Sequence, residues 1–571
     1  MDKKEVARIL TEIAGLLELK GENPFKSRAY VNAARAIESL EGDLEEHVRE
    51  ARLLEVENIG AKIAEKINEL VTSGHLLYYE SLKAETPPGL IEMIRIPGFG
   101  PKRAKAVYDA LGIQTVGELE YACHENRLAD LKGFGAKSQE NILQGIAFLK
   151  QFRGRHLLSE ADARAETVIA ALRQVPEVAR LSVAGSLRRR RETIKDIDIV
   201  VSSADPGPVM NAFTGFAGVD TILASGPTKS SVRLQGGIQV DLRVVNDSEF
   251  PFALLYFTGS KQHNIAMRAR ALRKGLKLNE YGLFDGDIAL PCATEEAIFQ
   301  RLGLIGIPPE LREDLGEIEA AERGELPRLV EAGDLKGILH NHSTWSDGKN
   351  SIEQMARAAE DAGYRYIGLS DHSQTAAYAG GLTVEEIRDQ QEEIDGLNAR
   401  LSGIRILKGI ESDILPDGSL DYPDEVLASF DFVIASIHSG LGINEEEMTR
   451  RIVKAVENPY TTILGHPTGR LLLAREGYPV DLDQVLEACI KRGVAIEVNA
   501  NPHRLDIDWQ QCRRAHESGC RVAINPDAHA VDGIADVVFG IGTARRGWIE
   551  AREVLNALSL EEIEAERQAR L

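Results

Sequence analysis

From residue 335 onward, apolar stretches with strand character alternate with amphipathic helical stretches, and the strands end near His340, Ser370, Glu411, His438, His466, Asn499 and Asp527. A βα unit repeated about seven times implies a parallel barrel, so 335–571 is expected to form a distorted (β/α)7 barrel. The remainder must fold separately, because 571 residues exceed one hydrophobic core, and domains usually hold roughly 100–200 residues. Residues 1–150 are helix-forming and broken by short glycine-containing turns. Residues 151–315 mix helices with β-rich runs such as Ile197-Asp198-Ile199-Val200-Val201, the α+β pattern of a sheet with helices on one side. The expected chain is therefore multidomain, α and α/β. It has helical domains at 1–85 and 86–150, an α+β domain at 151–315, an acidic and partly helical linker at 316–334, and the barrel at 335–571.

A composition of 43% hydrophobic and 27% charged residues is ordinary for a soluble protein, and no run of about 18 apolar residues spans a bilayer. The opening MDKKEVARILTEIAG reads as an amphipathic helix with acidic residues rather than an export signal. Five scattered cysteines, Cys123, Cys292, Cys489, Cys512 and Cys520, suit a reducing cytoplasm and read as buried small apolar residues. A cytoplasmic monomer without membrane partners is expected. The formal charge of −22 argues against a nucleic-acid binder, since phosphate neutralisation needs lysine and arginine. Its distribution removes the objection: residues 1–315 carry about −3, leaving about −19 for the second half.

Three copies of one device lie in the first 150 residues: Val56-Glu57-Asn58-Ile59-Gly60-Ala61-Lys62, Ile96-Pro97-Gly98-Phe99-Gly100-Pro101-Lys102 and Leu131-Lys132-Gly133-Phe134-Gly135-Ala136-Lys137. Each sets a tight hairpin and a lysine before a new helix. Glycines there let backbone N–H groups approach a phosphate with no side chain between, and the following helix N-terminus adds a favourable dipole. Such helix-hairpin-helix contacts, through Gly60, Gly98, Gly100, Gly133, Gly135, Lys62 and Lys102, read backbone rather than sequence. Asn58 replaces the first glycine of the first copy, and asparagine tolerates the left-handed conformation.

In the α+β region, Gly185-Ser186 and an arginine run at 188–191 precede Asp196-Ile197-Asp198. Strand alternation points Asp196 and Asp198 to one face and Ile197 and Ile199 to the core. Asp241 interrupts another apolar strand, where an unpaired acid is costly without a neighbouring cation. Three converging acids suit two Mg2+ (or Mn2+) ions roughly 3.5–4 Å apart, one serving a primer hydroxyl and one a triphosphate. Gly185 permits close backbone approach to phosphate, and Ser186 and Arg189 are placed for the β and γ oxygens. In the barrel, His340 and His342 alternate at one strand end, and His372, Glu411, His438, His466, Asp527 and His529 follow later ones. Active sites of parallel α/β barrels sit there. So many ligands exceed the needs of one ion, and mixed imidazole and carboxylate donors suit Zn2+, Mn2+ or iron, so a trinuclear centre is expected.

GSLRRRRETIKDIDIV and LLYFTGSKQHNIAMRARALRKGLKLNEYGL resemble the Gly-Ser to Asp-x-Asp motif and the nucleotide-selecting segment of the family X (polymerase β-like) DNA polymerases, over about 1–315. Residues 335–571 resemble a PHP (polymerase and histidinol phosphatase) domain, with Asp347 completing nine family ligand positions. The resemblance implies an α+β nucleotidyltransferase palm in which Asp196, Asp198 and Asp241 bind the catalytic metals, Asp241 nearest the primer end. It further implies that Arg155, Ser186 and Arg189 contact the triphosphate of a dNTP, that Tyr256, Phe257 and Gly259 pack against its sugar, and that Asn264 and Arg268 reach the minor-groove side of the pair. Gln239 and Lys261 depart from the pattern, where animal members carry an arginine and an acid. Lys26, Tyr30, Lys62 and Lys66 match the family's 5'-phosphate pocket and sugar-phosphate lyase. Lys62 and Lys66 lie one helical turn apart, and they fit either attack on an abasic aldehyde by the Lys66 amine or plain phosphate binding. The implied activities are gap-filling synthesis on gapped or primed DNA and, in the barrel, 3'-5' exonuclease, 3'-end cleaning and abasic-site endonuclease. A phosphatase fused to an inactive DNA-binding module, or a scaffold whose metals only stabilise the barrel, would fit parts of the sequence. The intact palm acids speak against the first.

Overall fold

The computed structural model describes residues 3–570, apart from 39, 41–43, 50, 51, 57, 97, 130 and 151–153. It divides into two compact units, Met1–Leu149 and Lys150–Leu571. The first is helical. Helix Lys3–Leu19 buries Val6, Leu10, Ile13 and Leu17, an i, i+4, i+7, i+11 stripe. It packs on helix Pro24–Glu38, which buries Tyr30, Ala33, Ala34 and Ile37. One apolar core runs from Val6 to Ile146.

The three hairpins are built alike. A left-handed residue stands at the same place in each, Asn58 (φ 70), Gly98 (φ 77) and Gly133 (φ 94), which is where asparagine and glycine are tolerated. The next residue, Ile59, Phe99 or Phe134, is buried. Its N–H donates back to Val56, Ile96 or Leu131 at 3.2, 2.9 and 3.0 Å.

The second unit starts with a five-stranded sheet in the order Arg180–Val183, Asp196–Ser202, Gln239–Val245, Lys229–Leu234, Val219–Ser225. Strand Asp196–Ser202 runs parallel to Gln239–Val245 and antiparallel to Arg180–Val183. Helices Leu158–Leu172 and Pro206–Thr214 cover the face carrying Ile197, Ile199, Val201, Val240 and Leu242. Helices Phe250–Thr258 and Lys261–Arg273, a three-stranded antiparallel sheet and helix Glu295–Arg301 follow. The stretch 316–334, expected to be a linker, is instead packed. Helix Glu317–Arg323 buries Ile318, Ala320 and Ala321 in the same core as Met267 and Phe299. Its acids lie on the solvent face except Glu317, which is fully buried and holds His263 at 2.7 Å.

Seven parallel strands in sequential order form the barrel: Gly337–Ile338, Tyr366–Leu369, Arg405–Asp413, Phe432–Ser436, Ile463–Leu464, Ala495–Asn499 and Val522–Asn525. The interior is filled by Tyr366, Leu407, Phe432, Ile434, Ile463, Ala495 and Ala523, with Leu555 and Ile563 from the C-terminal segment. Gly368 and Gly409 make room for the Phe432 ring, because a Cβ would meet it at 2.5 and 2.1 Å. The seam between first and last strands is filled by a side chain. Asn556, fully buried, donates to the carbonyls of Gly337 (2.9 Å) and Ile524 (2.7 Å) and accepts from Ile524 N–H (3.0 Å). Asn556→Ala leaves those backbone groups unpaired, at about 1–3 kcal/mol for a buried group. The expected outcome is a thermal transition of the barrel several degrees lower by calorimetry, and an unchanged transition would refute this role.

Candidate active sites

In the palm sheet Asp198 lies opposite Asp241 in the parallel register, and Asp196 is opposite Gln239. Asp196, Asp198 and Asp241 are half-buried while Ile197, Val240 and Leu242 are buried, so the acids share a face. Burial, followed by the charges of Asp196 and Asp241, pushes the Asp198 carboxyl up to about 7, against the pull of Arg243 and Arg189. The two arginines do not offset burial and the neighbouring acids, and three carboxylates on one face are the donor chemistry of a divalent cation site. Gln239 Nε2 donates to Asp241 Oδ1 at 3.0 Å. Gly185 has φ +61, and a Cβ on it would meet Asp198 Oδ2 at 2.1 Å. Only glycine brings this backbone against the acids.

Gly185 and Ser186 open the short helix Gly185–Arg188. Arg155 donates to the Thr193 hydroxyl and carbonyl at 2.8 Å, three residues before Asp196. Arg189 is turned inward: it is buried, donates to the Thr258 carbonyl and holds Glu313 at 3.1 Å. Gly259 (φ +70) lies beside it, with a Cβ there 3.0 Å from its guanidinium. Tyr256 and Phe257 contact edge to face at 5.2 Å. Asn264 donates to the Tyr256 carbonyl (2.7 Å), and Arg268 to the Asn264 carbonyl (3.3 Å). Sequence reading missed Arg243, whose guanidinium lies 4.2 Å from the Phe257 ring centre, and Arg188, which with Arg312 clamps Glu295. Burial opposes the Glu295 charge, yet Arg312 and Arg188 hold it down at about 2.

In the helical unit, Gly60 and Gly100 cap their helices at ordinary extended φ values of −84 and −80. A Cβ on Gly60, Gly98, Gly100, Gly133 or Gly135 would meet nothing within 4 Å. Neither backbone angle nor crowding demands glycine at Gly60 and Gly100, and the space before both is open. Arg103 ties two hairpins together, donating to the Gly98 and Gly133 carbonyls at 3.3 and 3.2 Å. Lys62 and Lys102 are exposed. Lys26, Tyr30 and Lys66 gather round Tyr78, a residue sequence reading passed over as part of an ordinary helix. Tyr78 stacks on Tyr30 at 6.4 Å, with the Lys66 and Lys26 ammonium groups 4.9 and 5.8 Å from its ring centre. Lys66 also donates to the Lys62 carbonyl at 3.2 Å. The Tyr78 hydrogen bond pushes the Lys26 pKa up, which suits phosphate binding.

At the C-terminal mouth of the barrel all nine expected ligands converge. They form overlapping groups whose donor atoms lie within 4.8 Å of one another: His342, Asp347, His372, His529; His340, His466, Asp527; His340, His342, Glu411; and His372, Glu411, His438. Glu411 is the hub, with imidazole nitrogens of His372 and His466 at 2.9 Å, His438 at 3.3 Å, His340 at 3.4 Å and His342 at 3.8 Å. Burial opposes its charge, yet His438, His340 and His372 hold Glu411 well below the usual carboxylate range. Both ring nitrogens of His342, Nε2 of His340, Nδ1 of His466 and Oδ2 of Asp347 are buried without hydrogen-bond partners among the described residues. Buried polar atoms are rarely left so, and a set of imidazole and carboxylate atoms aimed at common points fits divalent ions. Asp413, also missed in the sequence, holds His438 Nδ1 at 2.6 Å and leaves Nε2 for the cluster.

Family models match in four places: a helix-hairpin-helix domain at 1–76, a SAM-like helix-hairpin-helix tandem at 90–147, a DNA polymerase beta thumb at 253–313 and a PHP domain at 339–501. Fold and sites thus define a class: a nucleotidyltransferase and a phosphoesterase, each dependent on divalent metals, in one chain. The "DNA polymerase/3'-5' exonuclease PolX" of Bacillus subtilis (strain 168) is 41% identical over 570 residues, 99% of either chain. The chain belongs to the family X DNA polymerases that carry a PHP domain. Rat DNA polymerase lambda is 28% identical over 52% of this chain and 53% of its own, and a probable phosphatase of Thermoanaerobacter sp. (strain X514) 30% identical over 34% and 80%. From the Gly185 geometry, Gly185→Ala is expected to cut primer extension at least about a hundredfold while leaving 3'-end removal intact. Extension at the wild-type rate would show that the backbone does not need this approach.

Proposed function

We propose that the chain is a repair enzyme that fills gaps in DNA and trims 3' ends, with one chemistry in each metal-ligating site. It is a DNA-directed DNA polymerase with a PHP-domain 3'-5' exonuclease, and the observation that carries this is the completeness of both donor sets in a chain that aligns end to end with a polymerase/exonuclease. In the palm, Asp196, Asp198 and Asp241 would hold Mg2+ or Mn2+, and in the barrel the nine ligands would hold three Zn2+, Mn2+ or iron ions. When bound, these ions supply Lewis-acid activation and charge neutralisation at phosphorus. The chain's residues do the rest. Gly185 and Ser186 present backbone and hydroxyl to the triphosphate, joined by Arg155 and Arg189. Because Arg189 already shares Glu313 and the Thr258 carbonyl, phosphate oxygens there compete with internal partners. Tyr256, Phe257 and Gly259 would line the sugar and exclude a ribose hydroxyl, with Asn264 and Arg268 facing the nascent pair.

Hairpin glycines with open space before them support backbone contacts to gapped or primed DNA. The Lys26, Tyr30, Lys66 and Tyr78 cluster supports a 5'-phosphate pocket, with Lys66 as the lyase amine. Abasic-site cleavage is assigned to the barrel. All five cysteines are buried and unbridged, which supports a reducing, cytoplasmic setting, and the active form is proposed to be a monomer. No helix among the described residues is long and apolar enough to cross a membrane.

Asp241→Ala should lower primer extension on a gapped duplex by roughly a thousandfold or more and spare 3'-end degradation, while His342→Ala should do the reverse. Loss of both activities in either variant would refute independent sites. For the lyase, borohydride should trap wild-type protein, but not Lys66→Ala, on a 5'-deoxyribose-phosphate end. Equal trapping would reassign the pocket to phosphate binding alone.

A further inference from the structure

Along strand Ala495–Asn499, Ala495 packs inside the barrel and Ile496 and Val498 pack outside against the helices. Strand alternation therefore turns Glu497 inward, one step nearer the mouth where the ligands gather. Glu497 is fully buried and belongs to none of the ligand groups. Its four contacts are all to donors. Oε1 receives His340 Nδ1 at 2.7 Å and Asn525 Nδ2 at 3.1 Å; Oε2 receives the backbone N–H of His466 at 2.7 Å and Asn499 Nδ2 at 3.2 Å. Both amide orientations are fixed independently, since Asn525 Oδ1 accepts from Leu339 N–H and Asn499 Oδ1 from Asn501 N–H. Asn499 Nδ2 also donates to Asp527 Oδ2 at 3.0 Å.

We propose that Glu497 is the positioning residue for the His340, His466 and Asp527 group, and so governs occupancy of that one metal position. It fixes His340 with Nδ1 protonated, leaving Nε2 facing Glu411 and Asp527 at 3.4 and 3.5 Å. It anchors His466 by its backbone, where φ is 23, and Asp527, with φ 53, through Asn499. These are left-handed conformations that non-glycine residues hold only when their surroundings over-determine them. Four donors need a carboxylate, because a glutamine would turn its NH2 against two of them.

The proposal rests on reading the cluster as a metal centre, and the test separates the two. Wild type, Glu497→Gln and His342→Ala are purified as full chains, and each is assayed for bound metal by elemental analysis, for the Mn2+ dependence of 3'-end removal, and for primer extension. Glu497→Gln is expected to lose about one ion per chain and to need roughly 10–100-fold more Mn2+ for half-maximal 3'-end removal, with the maximal rate recovered at saturation and primer extension unchanged. Wild-type metal content and Mn2+ requirement in Glu497→Gln would overturn the proposal. Loss of primer extension together with metal would also overturn it, by making Glu497 a support of the whole fold. If His342→Ala matches wild type in metal content and 3'-end removal, the metal-centre reading itself falls, and this proposal with it.

Discussion

Asp198 and Asp241 face each other from neighbouring parallel strands, with Asp196 two residues away on the same face. Burial and mutual repulsion raise Asp198 to about 7. Charges of one sign held at that spacing in a partly dry site are tolerated only when something of opposite sign belongs between them. The barrel mouth meets the same constraint with a different balance, placing Glu411, Asp347 and Asp527 among six imidazoles. In both places the fold brings together groups that would otherwise repel or stay unpaired, and divalent cations resolve the conflict. Glycines let the protein backbone in where a side chain would collide, as at Gly185 against Asp198.

Parallel pairing explains why each site lies where it does. In the palm, only the parallel register of Asp196–Ser202 with Gln239–Val245 sets Asp198 directly opposite Asp241. In the barrel, seven strand ends open on one mouth; Glu411 points in from within strand Arg405–Asp413, and the other ligands follow the paired residues of their strands. Two of them, His466 and Asp527, take left-handed backbone angles there. The barrel closes although its first and last strands are short, because the Asn556 amide bridges Gly337 and Ile524 and, nearer the mouth, His342 N–H donates to the Ala528 carbonyl at 2.9 Å.

The sequence made the sites legible because their signals are local. Asp-x-Asp in an apolar strand has a face, His-x-His at a strand end has a direction, and Asn58 in place of glycine still predicts φ > 0. The seven-strand rhythm was equally readable, since burial on both faces leaves continuous apolar runs. What escaped reading depends on partners distant in sequence. Glu317 and Ile318 look like linker residues until His263 and Phe299 are seen against them. Arg189 looks like a phosphate ligand, and the sequence does not disclose that Glu313, over a hundred residues later, already holds it. Tyr78, Asp413 and Glu497 sit in runs whose pattern is ordinary helix or strand, and only the fold gives them neighbours.

Within the second unit, palm and barrel share interior. Leu505, fully buried, belongs to the palm's apolar core, and Leu472 and Phe539 pack against it. Trp548 completes the core of the thumb segment. Arg470 pairs with Glu192 at 3.1 Å, just after the arginine run of the Gly-Ser loop. Glu313 Oε1 is shared by Arg189 and by Arg546 from the barrel helix Val537–Arg546, each at 3.1 Å. Burial drives the Arg546 pKa down to about 10 while Glu313 holds it up. Removing one member of such a buried set leaves an uncompensated charge, which costs about 3–5 kcal/mol. Arg189, which with Arg243 pulls on Asp198, is thus held in part by a carboxylate that the barrel also uses, so the two chemistries keep separate donor sets on one shared structural frame.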